Sequence, residues 1–107
     1  MIKIKNEGER ARAGGIQPEN VLAINVAYSV YKDNSVPDMV VTSLGEIFDG
    51  RRKGSRHLWG FAFDLRTRGL AQSQAIRIAD QLREALGSDY DVVLESNHIH
   101  VEFDPEP

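Results

Sequence analysis

The three histidines of this 107-residue chain fall in two short segments that also carry carboxylates: His57 with Asp64, and His98 and His100 between Glu95 and Glu102. On an extended chain, residues two apart project to the same side, so His98, His100 and Glu102 share a face, as converging ligands must. If the segment around Asp64 runs beside 98–103, an imidazole and a carboxylate from neighbouring strands meet, and the turn before Asp64 delivers His57. Two histidines and one carboxylate with an open fourth position form the ligand set of a catalytic zinc site. That chemistry is hydrolysis by metal-activated water. It needs a carboxylate to move the proton, for which Glu95 is nearest in sequence, and a cation to hold an oxyanion or a substrate carboxylate, for which the loop offers Arg51, Arg52 and Arg56. Glu102 suits an outer acceptor that orients a ligand imidazole. The plainer alternative is a set of solvated histidines on an edge strand.

The elements that position these residues are legible from periodicity. Phe61, Phe63 and Leu65 alternate with Ala62, Asp64 and Arg66, which predicts a strand over 61–66 with its apolar side on the core and Asp64 on the opposite side. Residues 91–95 and 98–103 read as two strands around a Ser96-Asn97 turn, and Met39–Ser43 as a short β-branched strand. Gln17-Pro18-Glu19 opens a helix over about 18–32, with Val21, Ile24, Tyr28 and Tyr31 at helical spacing and Leu22 and Val26 beside them. A second helix, over about 71–86, carries the stripe Ala75, Ile78, Ala79, Leu82, Ala85 and Leu86, which Gly87 terminates. Residues 44–56, with three glycines among charges, read as a loop. These elements predict an α+β domain spanning 1–107, a small antiparallel sheet with two main helices packed on it.

Composition narrows the function. With no cysteine, disulfides, thiolate metal sites and cysteine nucleophiles are excluded, leaving histidines and carboxylates as metal ligands. A net charge of −3 gives no overall attraction to nucleic acid, although Arg51, Arg52, Lys53, Arg56, Arg66 and Arg68 cluster with Asp64 as the only acid among them. Nucleic-acid binding through that stretch is the weakest of the readings. No apolar run follows the N-terminal lysines, and none reaches the roughly 20 residues that span a bilayer, so neither a signal peptide nor a membrane span is expected.

The block Ser55-Arg56-His57-Leu58-Trp59-Gly60-Phe61-Ala62-Phe63-Asp64 fits the pattern S-x-H-x-x-G-x-A-x-D, and Glu95-Ser96-Asn97-His98-Ile99-His100 supplies an acid followed by histidines near the C-terminus. In both respects the chain resembles the zinc D-Ala-D-Ala carboxypeptidases, a superfamily that includes vancomycin-resistance D,D-dipeptidases, phage endolysins and the hedgehog signalling domain. The likeness covers about positions 39–104 and is greatest to small phage-encoded members that end in H-I-H-V-E-F-D-P. It implies a hedgehog/DD-peptidase-like fold, a Zn2+ cofactor and a peptidoglycan stem or cross-link peptide as substrate. It further implies a lytic enzyme made in the host or bacterial cytoplasm that acts at the cell wall if phage-delivered.

Carried over by position, His57 and Asp64 are the first two zinc ligands. The third has two registers. In one, His100 is the ligand, His98 lines the site as a catalytic group, and Asn97 stands where the catalytic acid is expected. In the other, Glu95-x-x-His98 supplies base and ligand together. Strand alternation does not separate them, since both histidines share a face; the expectation adopted is His57, Asp64 and His100 for the metal, with Glu95 and His98 catalytic. Arg52 and Ser55 are the substrate-binding candidates. Trp59 either contacts the wall peptide or packs beside Phe61, and Gly60 and Ala62 are small enough for the backbone to pass close to the metal shell. A second class of function follows from Asn97: a catalytically weak zinc-binding module serving a phage structural or interaction role.

Overall fold

The computed structural model describes residues 1–4, 18–46 and 61–104. Chain order is β1 (Ile2–Ile4), α1 (Pro18–Asp33), β2 (Met39–Glu46), β3 (Phe61–Arg66), α2 (Gln72–Leu86), β4 (Tyr90–Leu94) and β5 (His98–Phe103). The strands form one five-stranded sheet in the order β1-β2-β3-β5-β4. All neighbours are antiparallel except β1 and β2, which run parallel and pair Ile2 with Met39. A parallel pair requires a crossover, and α1 lies within it. The unit β3–α2–β4 leaves a gap between its strands that β5 fills, pairing antiparallel with both.

Alternation along the strands sets the layering. Met39, Val41, Phe63, Leu65, Val92, Ile99 and Val101 point to one side and form a single buried cluster with Ala23, Ile24, Ala27, Val30 and Tyr31 of α1 and Ile78, Ala79 and Leu82 of α2. Both helices therefore cover one face of the sheet, and Asp64, Arg66, His98, His100 and Glu102 belong to the other.

The expected helices and the 61–66 strand form as anticipated, with several corrections. In α1 Ile24 and Tyr31 are buried as expected, but the stripe continues through Ala23, Ala27 and Val30, and Val21 and Leu22 are exposed at 43% and 67%. The helix is turned so that its alanines meet the core, where their small side chains allow close packing. In α2 Ala85 is exposed, and the apolar face ends at a half-buried Leu86. Strand β2 runs on to Glu46, three residues into the stretch expected to be loop. β1 was not anticipated: three residues are too few to show alternation, and the parallel pairing it adds departs from the all-antiparallel expectation.

Two ends are sharply defined. Beyond α1, Ser35 takes φ 64°, its N–H donates to Lys32 O at 2.9 Å, and Val36 N–H donates to Tyr31 O at 2.9 Å, the double bond of a Schellman motif. Gly87, at φ 81°, ends α2 with its N–H on Arg83 O at 3.1 Å. Between the helices, buried Asn34 donates from Nδ2 to Val30 O at 2.8 Å and Gln81 Oε1 at 2.7 Å, while its Oδ1 accepts from Arg77 Nε at 2.7 Å.

Candidate functional site

Strand register assembles the site. β3 and β5 pair so that Asp64 lies opposite His100 and Arg66 opposite His98, all on the face away from the helices. The tight turn between Leu94 and His98 locks this register: Leu94 pairs with Ile99, and Glu95 N–H donates to His98 O at 2.8 Å.

His100 bridges two carboxylates. Its Nδ1 lies 2.8 Å from Asp64 Oδ1 and its Nε2 3.1 Å from Glu102 Oε1. The hydrogen bond to Asp64 does most to raise its pKa to about 9; burial opposes this, and Glu102 adds to it. In the metal-free chain the ring is therefore an imidazolium at neutral pH, donating from both nitrogens. Glu102 is only 4% exposed although it lies on the face opposite the helices, so its carboxylate is held in place as an acceptor for His100 Nε2.

His98 is anchored differently. Its Nδ1 lies 2.6 Å from Asn97 Oδ1, an amide oxygen that can only accept, which directs Nε2 toward Asp64 Oδ2 across 3.8 Å. The two oxygens of Asp64 thus each face one imidazole nitrogen, and the far nitrogen of each imidazole is held by a separate acceptor.

The structure brings together Asp64, His98 and His100 among the expected site residues, with Glu102 behind them. Glu95 sits at the hairpin turn beside His98 with an exposed side chain, and among the described residues its carboxylate makes no hydrogen bond or ion pair. His57, Arg52 and Ser55, with Trp59 and Gly60, lie outside the described residues. Among the described residues no group of three His, Asp or Glu side chains is arranged to hold a metal ion.

Beside the cluster a cleft of about 420 Å³ opens between the end of β3 and the β4–β5 turn. Thr42, Asp64, Arg66 and His98 line it from the sheet, and Thr67, Arg68, Ser96 and Asn97 from the two adjoining turns. Thr67 N–H reaches Asn97 O at 3.4 Å and joins those turns. Thr42 is the extra residue of a bulge in β2: Val41 pairs with Leu65 and Ser43 with Asp64, leaving Thr42 without a counterpart. The sequence reading did not place Arg66, Thr67 or Thr42 at the site. Arg66 carried a signal, its alternation with Asp64; the bulge carried none, because its position depends on pairing with a strand twenty residues away.

No family model, no curated protein and no solved structure matches the chain. No helix among the described residues is long and apolar enough to cross a membrane.

Proposed function

We propose that the chain is a zinc-dependent peptidase of the D-Ala-D-Ala carboxypeptidase type that hydrolyses a stem or cross-link peptide bond of peptidoglycan. The observation that carries this reading is Asp64, held between His98 and His100 with one carboxylate oxygen toward each ring, on the sheet face opposite α1 and α2. The donor set suits zinc: tetrahedral coordination at bond lengths near 2.0–2.1 Å separates neighbouring donor atoms by about 3.3 Å. The Asp64–His100 separation of 2.8 Å lies about 0.5 Å inside that spacing.

In this reading His57, Asp64 and His100 hold the metal, with Glu102 fixing the His100 ring through Nε2 and leaving Nδ1 for coordination. This anchoring by a carboxylate supports His100 over His98 as the third ligand. When bound, zinc lowers the pKa of a coordinated water to about 7 and polarises the scissile carbonyl. Glu95 takes up the proton and returns it to the leaving amine, and His98, its Nδ1–H donating to Asn97, stabilises the developing oxyanion from Nε2 in the imidazolium form, in which both nitrogens donate. Arg52 and Ser55 hold the substrate.

A second reading, a zinc-binding phage structural or interaction module without turnover, is favoured by Asn97: it stands where an acid is expected in the His100 register, and its side-chain oxygen is committed to His98. Elemental analysis for zinc combined with hydrolysis of purified peptidoglycan separates the two. Stoichiometric zinc and chelator-sensitive release of peptide or D-alanine support the enzyme; zinc without release supports the module. Glu95→Gln that keeps full turnover with zinc bound removes Glu95 from the base role.

A further inference from the structure

β4 ends the sheet: among the described residues β5 is its only neighbouring strand. The phase of the β4–β5 ladder decides which backbone groups lie outside. Glu95 N–H donates to His98 O and Asp104 N–H to Asp89 O, and both are directly opposite pairs of the same register. By alternation Asp91 with Glu102 and Val93 with His100 also bond inward, so Tyr90, Val92 and Leu94 turn their N–H and C=O groups to the open edge.

Such an edge is a template for another strand, and proteins blunt theirs with lysine, proline or a bulge. The strand Tyr90-Asp91-Val92-Val93-Leu94 has no lysine and no proline, and its register against β5 is unbroken. Arg83 covers it instead. From α2 its Nε donates to Val92 O at 3.0 Å, while its Nη1 donates to Asp80 Oδ1 at 2.7 Å. The guanidinium thus occupies the acceptor at the centre of the exposed edge.

The strand also complements itself when reversed. In antiparallel pairing about a two-fold axis at Val92, the two Val92 residues face each other, Tyr90 faces Leu94 of the second copy, and Asp91 faces Val93 of the second copy. The Tyr90–Leu94 pairs extend the apolar layer under the helices, because both side chains already pack against the core. On the other face each Asp91 meets an exposed Val93, so no like charges stand opposite.

We infer that the β4 edge is a docking site for β4 of a second copy of this chain, and that Arg83, steadied by Asp80, holds the edge closed. The pairing uses none of the residues assigned to metal or substrate, and it stands apart from the peptidase reading.

The test is sedimentation equilibrium of the full chain and of Arg83→Ala, with amide exchange at Val92 and Leu94 followed by NMR. Opening an edge costs each copy one charge-assisted hydrogen bond, about tenfold in equilibrium constant, so removing Arg83 from both copies should tighten the dimer about a hundredfold. The amides of Val92 and Leu94 should exchange more slowly in that dimer. Adding Val93→Asp, which sets a carboxylate opposite Asp91 of the second copy, should return the variant to monomer. Asp80→Ala frees the guanidinium without removing it and should tighten the dimer by a smaller factor; it decides the matter if Arg83→Ala alters the circular dichroism spectrum. A folded Arg83→Ala that associates no more tightly than the parent overturns the proposal. So does a dimer that Val93→Asp leaves intact or that leaves Val92 and Leu94 unprotected, and, where Arg83→Ala misfolds, an Asp80→Ala that associates like the parent.

Discussion

His100 is the residue on which the cluster turns, and its surroundings make stability depend on pH. Its folded pKa of about 9 lies above the ordinary 6.5, mainly because Asp64 accepts a hydrogen bond from its Nδ1–H. A raised folded value means that the stabilisation is fully present below about 6.5 and is lost as pH rises through about 9. Urea unfolding of the chelator-treated chain should therefore show a midpoint that declines between pH 6.5 and 10, and Asp64→Asn should flatten the decline. A level profile in the parent chain would show that the imidazolium bridge contributes nothing. Glu102 tests the same residue from its other nitrogen: Glu102→Gln keeps the shape but removes the charge opposite Nε2, and zinc affinity measured by competition with a chromophoric chelator should fall about tenfold.

At the scale of elements, the end of α1 holds a residue in a conformation that suits glycine better. Ser35 sits at φ 64° in the Schellman position, so Ser35→Gly should raise stability by about 0.5–1 kcal/mol, read as a higher urea midpoint with an unchanged slope. Asn34→Ala should lower it by about 1–2 kcal/mol, because Asn34 ties α1 to Gln81 and Arg77 of α2 and is buried between them. These elements were legible in unequal measure. The 61–66 strand and α2 announced themselves through clean periods of two and 3.6, and the shared face of His98, His100 and Glu102 followed from the same alternation. The face that α1 buries was read in part: Ile24 and Tyr31 are buried as expected and Tyr28 packs against them, but Ala23 and Ala27, which give little hydrophobic signal, take the places that Val21 and Leu22 suggested. β1 was not readable, and the pairing of Asp64 with His100 could be posed only as a condition, that 61–66 lie beside 98–103, which the register meets: both are contacts between distant segments, and no local period encodes which strand lies beside which.

Across the whole molecule, β3 separates stability from chemistry by parity. Leu65 is 0% exposed in the core, and its neighbour Asp64 belongs to the opposite face. Leu65→Ala should cost about 2–5 kcal/mol in unfolding free energy while, on the zinc reading proposed above, the metal affinity of the folded fraction persists, whereas Asp64→Asn should on that reading abolish metal binding at a modest cost near pH 7. Measuring both quantities for both variants checks the division; loss of metal binding in folded Leu65→Ala would contradict it.

The unmatched Thr42 follows the same division into a question of chain length. Val41 and Ser43 face Leu65 and Asp64, which are already consecutive, so excising Thr42 would close the ladder into an uninterrupted run without moving any other partner. The shortened protein should fold at least as firmly as its parent, yet lack one wall of the cleft beside Asp64. In Thr42 the sheet carries a residue that its own architecture does not require, and a selection for stability alone would have every reason to discard it.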